Sequence, residues 1–418
     1  MKGFRKLGEQ LFNLGLTQRL GLGQRHTAGG DTTAPTVVIT CAQSSPSGAA
    51  TLNFTITFSE VVTGFVLGDI TVSNGTAGNF AGSGAVYTCD ITPIGMSVIT
   101  VDVAGSVCID AAGNSNTAAT QFTFTSTAPF SDAFTRADGA IGSIWTGATW
   151  TIASNAVLNT PTEGGERVVN GGFDADTDWT KDAGWTIASG VASVVGAANG
   201  LSIQQLNRLT AGLWYVTRFD ITNRTQGNLR LYFGDGYNYI VGLSNGSFVI
   251  SGRAQTNGHI KLYTSGTSTY DVDNVSYKPV TLATLFASLP DVGVAAVTAQ
   301  VIVTINPAGR QGGLVINLDS ISTPANFVIA YLDGTNAKLD KCVAGTYTNV
   351  ISGAVTFGAT KNLKLVKSGN NYSLYYGTPG SETQVGTTQA ITSMNGTIHG
   401  LFVTNNTPKF DTYQLAAT

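Results

Sequence analysis

At 418 residues and a net charge of −3, with charged side chains only 11% of the chain, this sequence excludes a coiled coil, a charged disordered protein and wholesale nucleic-acid binding. Its 51 glycines and 42% hydrophobic fraction suit strands and tight turns around real cores rather than helices. A prior of roughly 150 residues per domain gives about three domains, and no apolar run is long enough to span a membrane.

Residues 1–30 carry five basic side chains and one acid, a net of +4, which leaves 17 basic and 24 acidic residues, a net of −7, for the rest. Phe4, Leu7, Leu11 and Leu14 recur at helical spacing beside Arg5 and Lys6. Gly8 and Gly15 make an isolated helix marginal. Glu9, Gln10 and Asn13 interrupt the apolar run that a secretory signal needs. The segment reads as a short basic anchor that docks on a larger assembly; a frayed tail is the alternative. The cysteines, Cys41, Cys89, Cys108 and Cys342, form no CxxC pair, which argues against zinc. They read as small buried hydrophobes, with one bridge among the first three left open.

From residue 31 to 127, TLNFTITFSE, AVYTCDITP, SVITVDV and QFTFTS alternate apolar and polar residues, with turn clusters about every ten residues. That spacing predicts an antiparallel β-sandwich. Asp31, Ala34, Pro35, Phe58-Ser59-Glu60, Asp69-Ile70-Thr71-Val72 and Asp110-Ala-Ala-Gly-Asn114 resemble the bacterial immunoglobulin-like repeats of surface proteins. The resemblance implies a spacer or display module.

Residues 128–162 open a second unit. Asp132, Phe134, Arg136, Asp138, Gly139, Trp145 and Trp150 resemble the opening of concanavalin-like jelly rolls. Strand-like segments suited to the remainder of that fold begin only after residue 280 and end with Phe410, Asp411 and Tyr413. Between them, Asn170, Gly171, Phe173, Asp174, Trp179 and Trp185, with Asp273-Asn274-Val275 at the close, resemble a carbohydrate-binding-module jelly roll. The expected architecture is therefore all-β: an anchor (1–30), an immunoglobulin-like sandwich (31–127), and a discontinuous concanavalin-like jelly roll (128–162 and 281–418) carrying an inserted jelly roll (163–280). Glu163-Gly-Gly-Glu166 reads as the lead-in linker of the insertion, and the outer roll is expected to survive its excision.

Catalytic groups are sparse. His26, His259 and His399 lie far apart and read as structural or surface residues; no HExxH or Walker A motif is present. Gly242-Leu-Ser244-Asn-Gly246 matches GxSxG, but strand-like segments flank it and Asn245-Gly246 is a hairpin signal, so a turn is expected. Glu9, Glu60, Glu163, Glu166 and Glu382 include no carboxylate pair on a predicted strand of the outer roll, which argues against a glycosidase.

No cofactor is required by this reading. The carbohydrate-module resemblance implies a structural calcium with Asp174 and Asp273 as ligands and Asp176 nearby; simple turn residues are the alternative. Asp31 and Asp110 are a second such pair. For glycans, LRLYFGDGYNYIVG gathers Arg230, Tyr232, Asp235, Tyr237, Asn238 and Tyr239: flat rings for sugar faces beside hydrogen-bonding groups. Ordinary cross-strand pairing of these rings is the alternative. Trp179, Trp185 and Trp214 read as core.

The sequence-level expectation is a non-enzymatic virion surface protein, a decoration or fibre protein of a tailed phage. It would be present as a homo-oligomer or in many copies, held to other virion proteins by its N-terminal segment and adhering to host glycans. A bacterial cell-surface adhesin and a glycan-directed enzyme are the other two readings.

Overall fold

The computed structural model describes residues 31–233, 238–241, 244–305 and 309–418, with backbone alone for 238–241 and Ile305. The expected anchor residues Phe4, Arg5, Lys6, Leu7, Leu11 and Leu14 lie outside the described residues. The architecture is all-β, with two single-turn 3₁₀ segments, Leu67–Asp69 and Leu282–Leu285, as the helical elements among the described residues.

The first sandwich packs the sheet of Val37–Cys41, Leu52–Val62 and Gly75–Pro93 against the sheet of Ile70–Val72, Ser97–Val103 and Phe122–Ser126. Strict alternation in LNFTITF sends Leu52, Phe54, Ile56 and Phe58 inward, onto Tyr87, Ile99, Val101 and Phe124. All four cysteines are free thiols, three of them buried, so the bridge left open among the first three does not form. Met96 of this sandwich enters the core of the next unit beside Phe130, which ties the two together.

Strands Phe130–Asp132, Gly139–Ala140, Trp150–Ala153 and Ala156–Asn159 join a sheet whose other members all follow residue 296. The closing strand Lys409–Ala417 links them, pairing Leu415 with Phe130, Tyr413 with Asp132 and Phe410 with Val157. A second sheet, from Phe286–Ser288 to Thr346–Ala354, faces it across a core that includes Trp145, Trp150, Val301, Leu314 and Leu365. The opening motif is a hydrogen-bonded knot. Buried Asp132 accepts from the Phe134 amide (2.9 Å), the Arg136 guanidinium (2.7 Å) and the Trp145 indole (2.8 Å). Its acid and base therefore fix a turn.

His399 is fully buried in this roll. Its Nε2 donates to the Val294 carbonyl (2.8 Å) and its Nδ1 accepts from the Asn317 amide (3.3 Å), the pattern of a neutral ring. Burial, and to a lesser degree the Lys367 ammonium, pushes its pKa from 6.5 down to about 4, against the raising effect of the Val294 hydrogen bond. Between those values the unfolded chain binds the proton and the folded chain does not. Stability is thus fully present above pH 6.5 and falls as pH drops towards 4, by ~3 kcal/mol in all. Urea midpoints at neutral pH and at about pH 5 should differ more for the wild type than for His399→Gln.

The unit from 163 to 280 is built on two long strands, Trp214–Phe233 and Gly258–Pro279, paired along most of their length. Register shifts around Gln226 mark a corner where both strands pass from one half of the sandwich to the other. Gly227 makes that corner possible: its φ is +79° and a Cβ there would stand 2.2 Å from Ser268 Oγ. The ends of the unit meet, since Val275 N–H donates to the Gly171 carbonyl at 2.8 Å. Glu163-Gly-Gly-Glu166 is no free linker. Glu163 pairs with Arg218, and Glu166 accepts from the amides of Val168 and Tyr277 and from Ser276 Oγ.

The inserted unit is not a detachable bead. Trp214, Val216 and Val280 share one buried cluster with Phe286, Val315, Phe327, Ile329, Tyr331 and Phe402 of the outer roll. Trp214 is core, as expected, but the core is this shared one. At its edge buried Arg253 pairs with buried Asp340 at 3.0 Å. Tyr331 Oη (3.1 Å) and Asn349 Nδ2 (2.7 Å) donate to the same carboxylate. The Arg253 guanidinium lies over the Tyr347 ring, 4.0 Å from its centroid. Excision of the inserted unit would therefore open this shared core.

Candidate functional site: a solvent-facing tyrosine sheet

The far half of the inserted unit presents one sheet face outward. Leu229, Leu231 and Phe233 point into the core, so the alternate residues Arg230 and Tyr232 point out. The neighbouring strand does the same: Ile260 and Leu262 are buried, and Lys261 and Tyr263 face outward. Register sets these residues in two rows. Gln204, Lys261, Tyr232 and the position of Asn238 form one; Ser202, Tyr263 and Arg230 form the next.

Tyr232 and Tyr263 meet edge to face, with centroids 5.9 Å apart and planes at 74°. Lys261 Nζ lies 5.7 and 5.8 Å from the two centroids. Among the described residues, Arg230 Nε and Gln204 Oε1 are buried polar atoms without a hydrogen-bond partner. Native structures leave few such atoms. Chemically the face offers partly exposed rings, a guanidinium, an ammonium and an amide.

Of the residues chosen from sequence, Arg230 lies on this face and Asn238 at its edge by register. Tyr239 falls in the row of Leu231, whose side chain is buried. Asp235 and Tyr237 lie outside the described residues. Sequence reasoning passed over Lys261, Tyr263 and Gln204. Alternation in HIKLYTS carried the signal, with Lys261 and Tyr263 flanking inward Leu262.

Ser244 is not a hairpin turn. It lies in the break between Asn238–Val241 and Gly246–Arg253, which both pair with the long strand Trp214–Phe233. No helix follows it, so the nucleophile elbow is absent there as well. His259 Nδ1 accepts the Asn207 amide at 3.0 Å, a structural contact. Glu382 does lie on a strand of the outer roll, Ser381–Ala390. Burial opposes its charge, but the Asn362 amide, the Gly380 N–H and the Lys364 ammonium together hold its pKa below the usual value.

Asp174 is exposed, and its amide donates to Asn170 Oδ1 in a local turn; Asp176 pairs with Lys181. Asp273 Oδ1 accepts the Asn274 amide. Neither Asp174 nor Asp273 joins a group of three acids among the described residues; the one such group is Asp31, Glu60 and Asp110, with carboxylate oxygens within 4.8 Å of one another. Asn114 ties it together, donating from Nδ2 to Asp110 Oδ2 (2.8 Å) and to the Asp31 carbonyl (2.9 Å). Partial burial, then the Asp31 and Asp110 charges, raises the Glu60 pKa, while the Asn114 hydrogen bonds lower that of Asp110. An all-oxygen set of this kind suits a hard cation.

Residues 31–126 match the family model of a bacterial Ig-like domain. The first module is thus an immunoglobulin-like sandwich, and β-sandwich jelly rolls follow it. No curated protein matches the chain. Among solved structures, the carbohydrate binding module CBM66 from Bacillus subtilis is 12% identical, with 58% of this chain and 96% of that chain covered, at a TM-score of 0.21. The GH43 BlXynB protein from Bacillus licheniformis is 10% identical, with 90% and 85% covered, at 0.25. A xylan beta-1,4-xylosidase from Bacillus halodurans C-125 is 8% identical, with 93% and 88% covered, at 0.27. Likenesses this remote say nothing of what this chain binds or does.

Proposed function

We propose that this chain is a non-enzymatic surface protein of a virus particle, a capsid decoration or fibre of a tailed phage, whose β-sandwich modules adhere to glycans. The observation that carries the adhesive part is the Tyr232–Tyr263 pair on an outward sheet face, flanked by Arg230, Lys261 and Gln204. Sugar rings present flat C–H faces edged with hydroxyls. An aromatic face takes the first, and guanidinium, amide and ammonium groups take the second. Lys261 has three rotatable donors and a flexible stem, so it can turn from the rings to a bound hydroxyl. A glycan array probed with the wild type, Tyr232→Ala and Tyr263→Ala tests the site. Each variant should lose at least about tenfold in apparent affinity while melting like the wild type. Retention unchanged in both variants removes the site.

The non-enzymatic part is supported by the chemistry of the groups a catalyst would need. His399 is held neutral in the core, His259 accepts a backbone amide, and Ser244 has no helix behind it. Attachment to the particle is assigned to residues 1–30 on their +4 charge and the Phe4/Leu7/Leu11/Leu14 stripe. A variant beginning at Asp31 should fold and yet fail to enter particles; undiminished incorporation contradicts that assignment.

A further inference from the structure

We infer that the cleft where the inserted unit meets the outer roll is a second binding site, for a neutral saccharide. A cavity of about 450 Å³ opens there, within the ~300–1,000 Å³ range of small-molecule sites. One wall is Ala211 to Gly212 and Arg253 to Gln255 of the inserted unit; the other is the turn and strand Gly345 to Asn349 of the outer roll. The walls converge closely, since a Cβ on Gly212 would stand 3.5 Å from the Gly345 carbonyl oxygen.

The chemistry of the lining selects the ligand. The one cationic side chain of the cavity, Arg253, is already neutralised by Asp340 at 3.0 Å, and its guanidinium lies over the Tyr347 ring. An anion would find no net positive charge to offset its desolvation. What reaches the opening is hydroxyl and amide: exposed Thr346, Thr348 and Gln255, beside Asn349, whose Nδ2 is held by Asp340, and backbone at two glycines. A neutral, hydroxyl-rich molecule matches that lining, and Tyr347 gives it an aromatic edge. This cleft shares no lining residue with the Tyr232–Tyr263 face.

Trp214 is a built-in reporter, because its indole donates to Tyr347 Oη (3.2 Å) directly behind the cavity. The chain has five tryptophans, so 5-fluorotryptophan labelling gives five ¹⁹F signals, with that of Trp214 assigned by Trp214→Phe. The full chain would be titrated with maltose, cellobiose, xylobiose, lactose and N,N′-diacetylchitobiose, and with glucuronate as the anionic control. The Trp214 signal should shift saturably with at least one disaccharide, equally in the wild type and in Tyr232→Ala. The shift should vanish in Thr348→Phe and in Ala211→Phe, which fill the mouth from opposite walls, so that one misfolded variant leaves the other as the test. No shift with any of the five sugars overturns the inference. So does a shift that persists in the blocking variants, or one given by glucuronate alone. Loss of array binding in Tyr232→Ala with the Trp214 shift intact would separate this site from the sheet face.

Discussion

Arg253→Met is expected to destabilise the chain by about 3–5 kcal/mol, because it leaves the Asp340 carboxylate buried without its ion partner. Tyr331 and Asn349 still donate to that carboxylate, but two neutral donors do not replace a charge at 3.0 Å. The guanidinium also leaves the Tyr347 ring, 4.0 Å away. The double variant Arg253→Met/Asp340→Leu should recover most of the loss, since a buried pair exchanged for apolar groups of similar volume is often neutral. Urea denaturation of the two single variants and the double variant measures the coupling. Additive effects would mean that the pair does not hold the junction.

The second large effect concerns the junction as a whole. A chain lacking 163–280 should be insoluble, or should bind hydrophobic dyes and melt without cooperativity. Excision strips Trp214, Val216 and Val280 from a face made by Phe286, Val315, Phe327, Ile329, Tyr331 and Phe402. It also removes the partner of Asp340. A contiguous apolar face of this kind, newly exposed, drives association. A soluble monomer with one sharp melting transition would show instead that the outer roll is complete without the inserted unit. The inserted unit keeps its own core of Phe173, Trp185, Tyr215, Leu231 and Tyr277 in isolation, but exposes Trp214, Val216 and Val280 and leaves Arg253 without Asp340.

What the sequence made legible was local and periodic. Alternation in LNFTITF fixed which residues face inward, and Asn170 and Asp132 each organise the turn of their own motif. The rest depended on contacts between distant segments. Nothing near Trp214 says that it packs on Phe402 and Tyr331 rather than within its own unit. Arg253 and Asp340 are 87 positions apart, and neither stands in a motif. Glu163 and Glu166, in a glycine-rich stretch that reads as a linker, are fastened by Arg218, Ser276 and Tyr277 across the unit. The candidate site was half legible: Arg230 stood out from its aromatic neighbourhood, whereas Tyr263 and Lys261 reach it only through strand register.

Isothermal titration calorimetry of the full chain with the glycan it retains best on an array tests most directly whether it binds sugars without turning them over. The predicted result is a saturable isotherm whose heat returns to baseline after each injection, and a loss of at least about tenfold in affinity for Tyr263→Ala. Heat that continues after each injection, the signature of turnover, or an isotherm unchanged in Tyr263→Ala, would contradict the account.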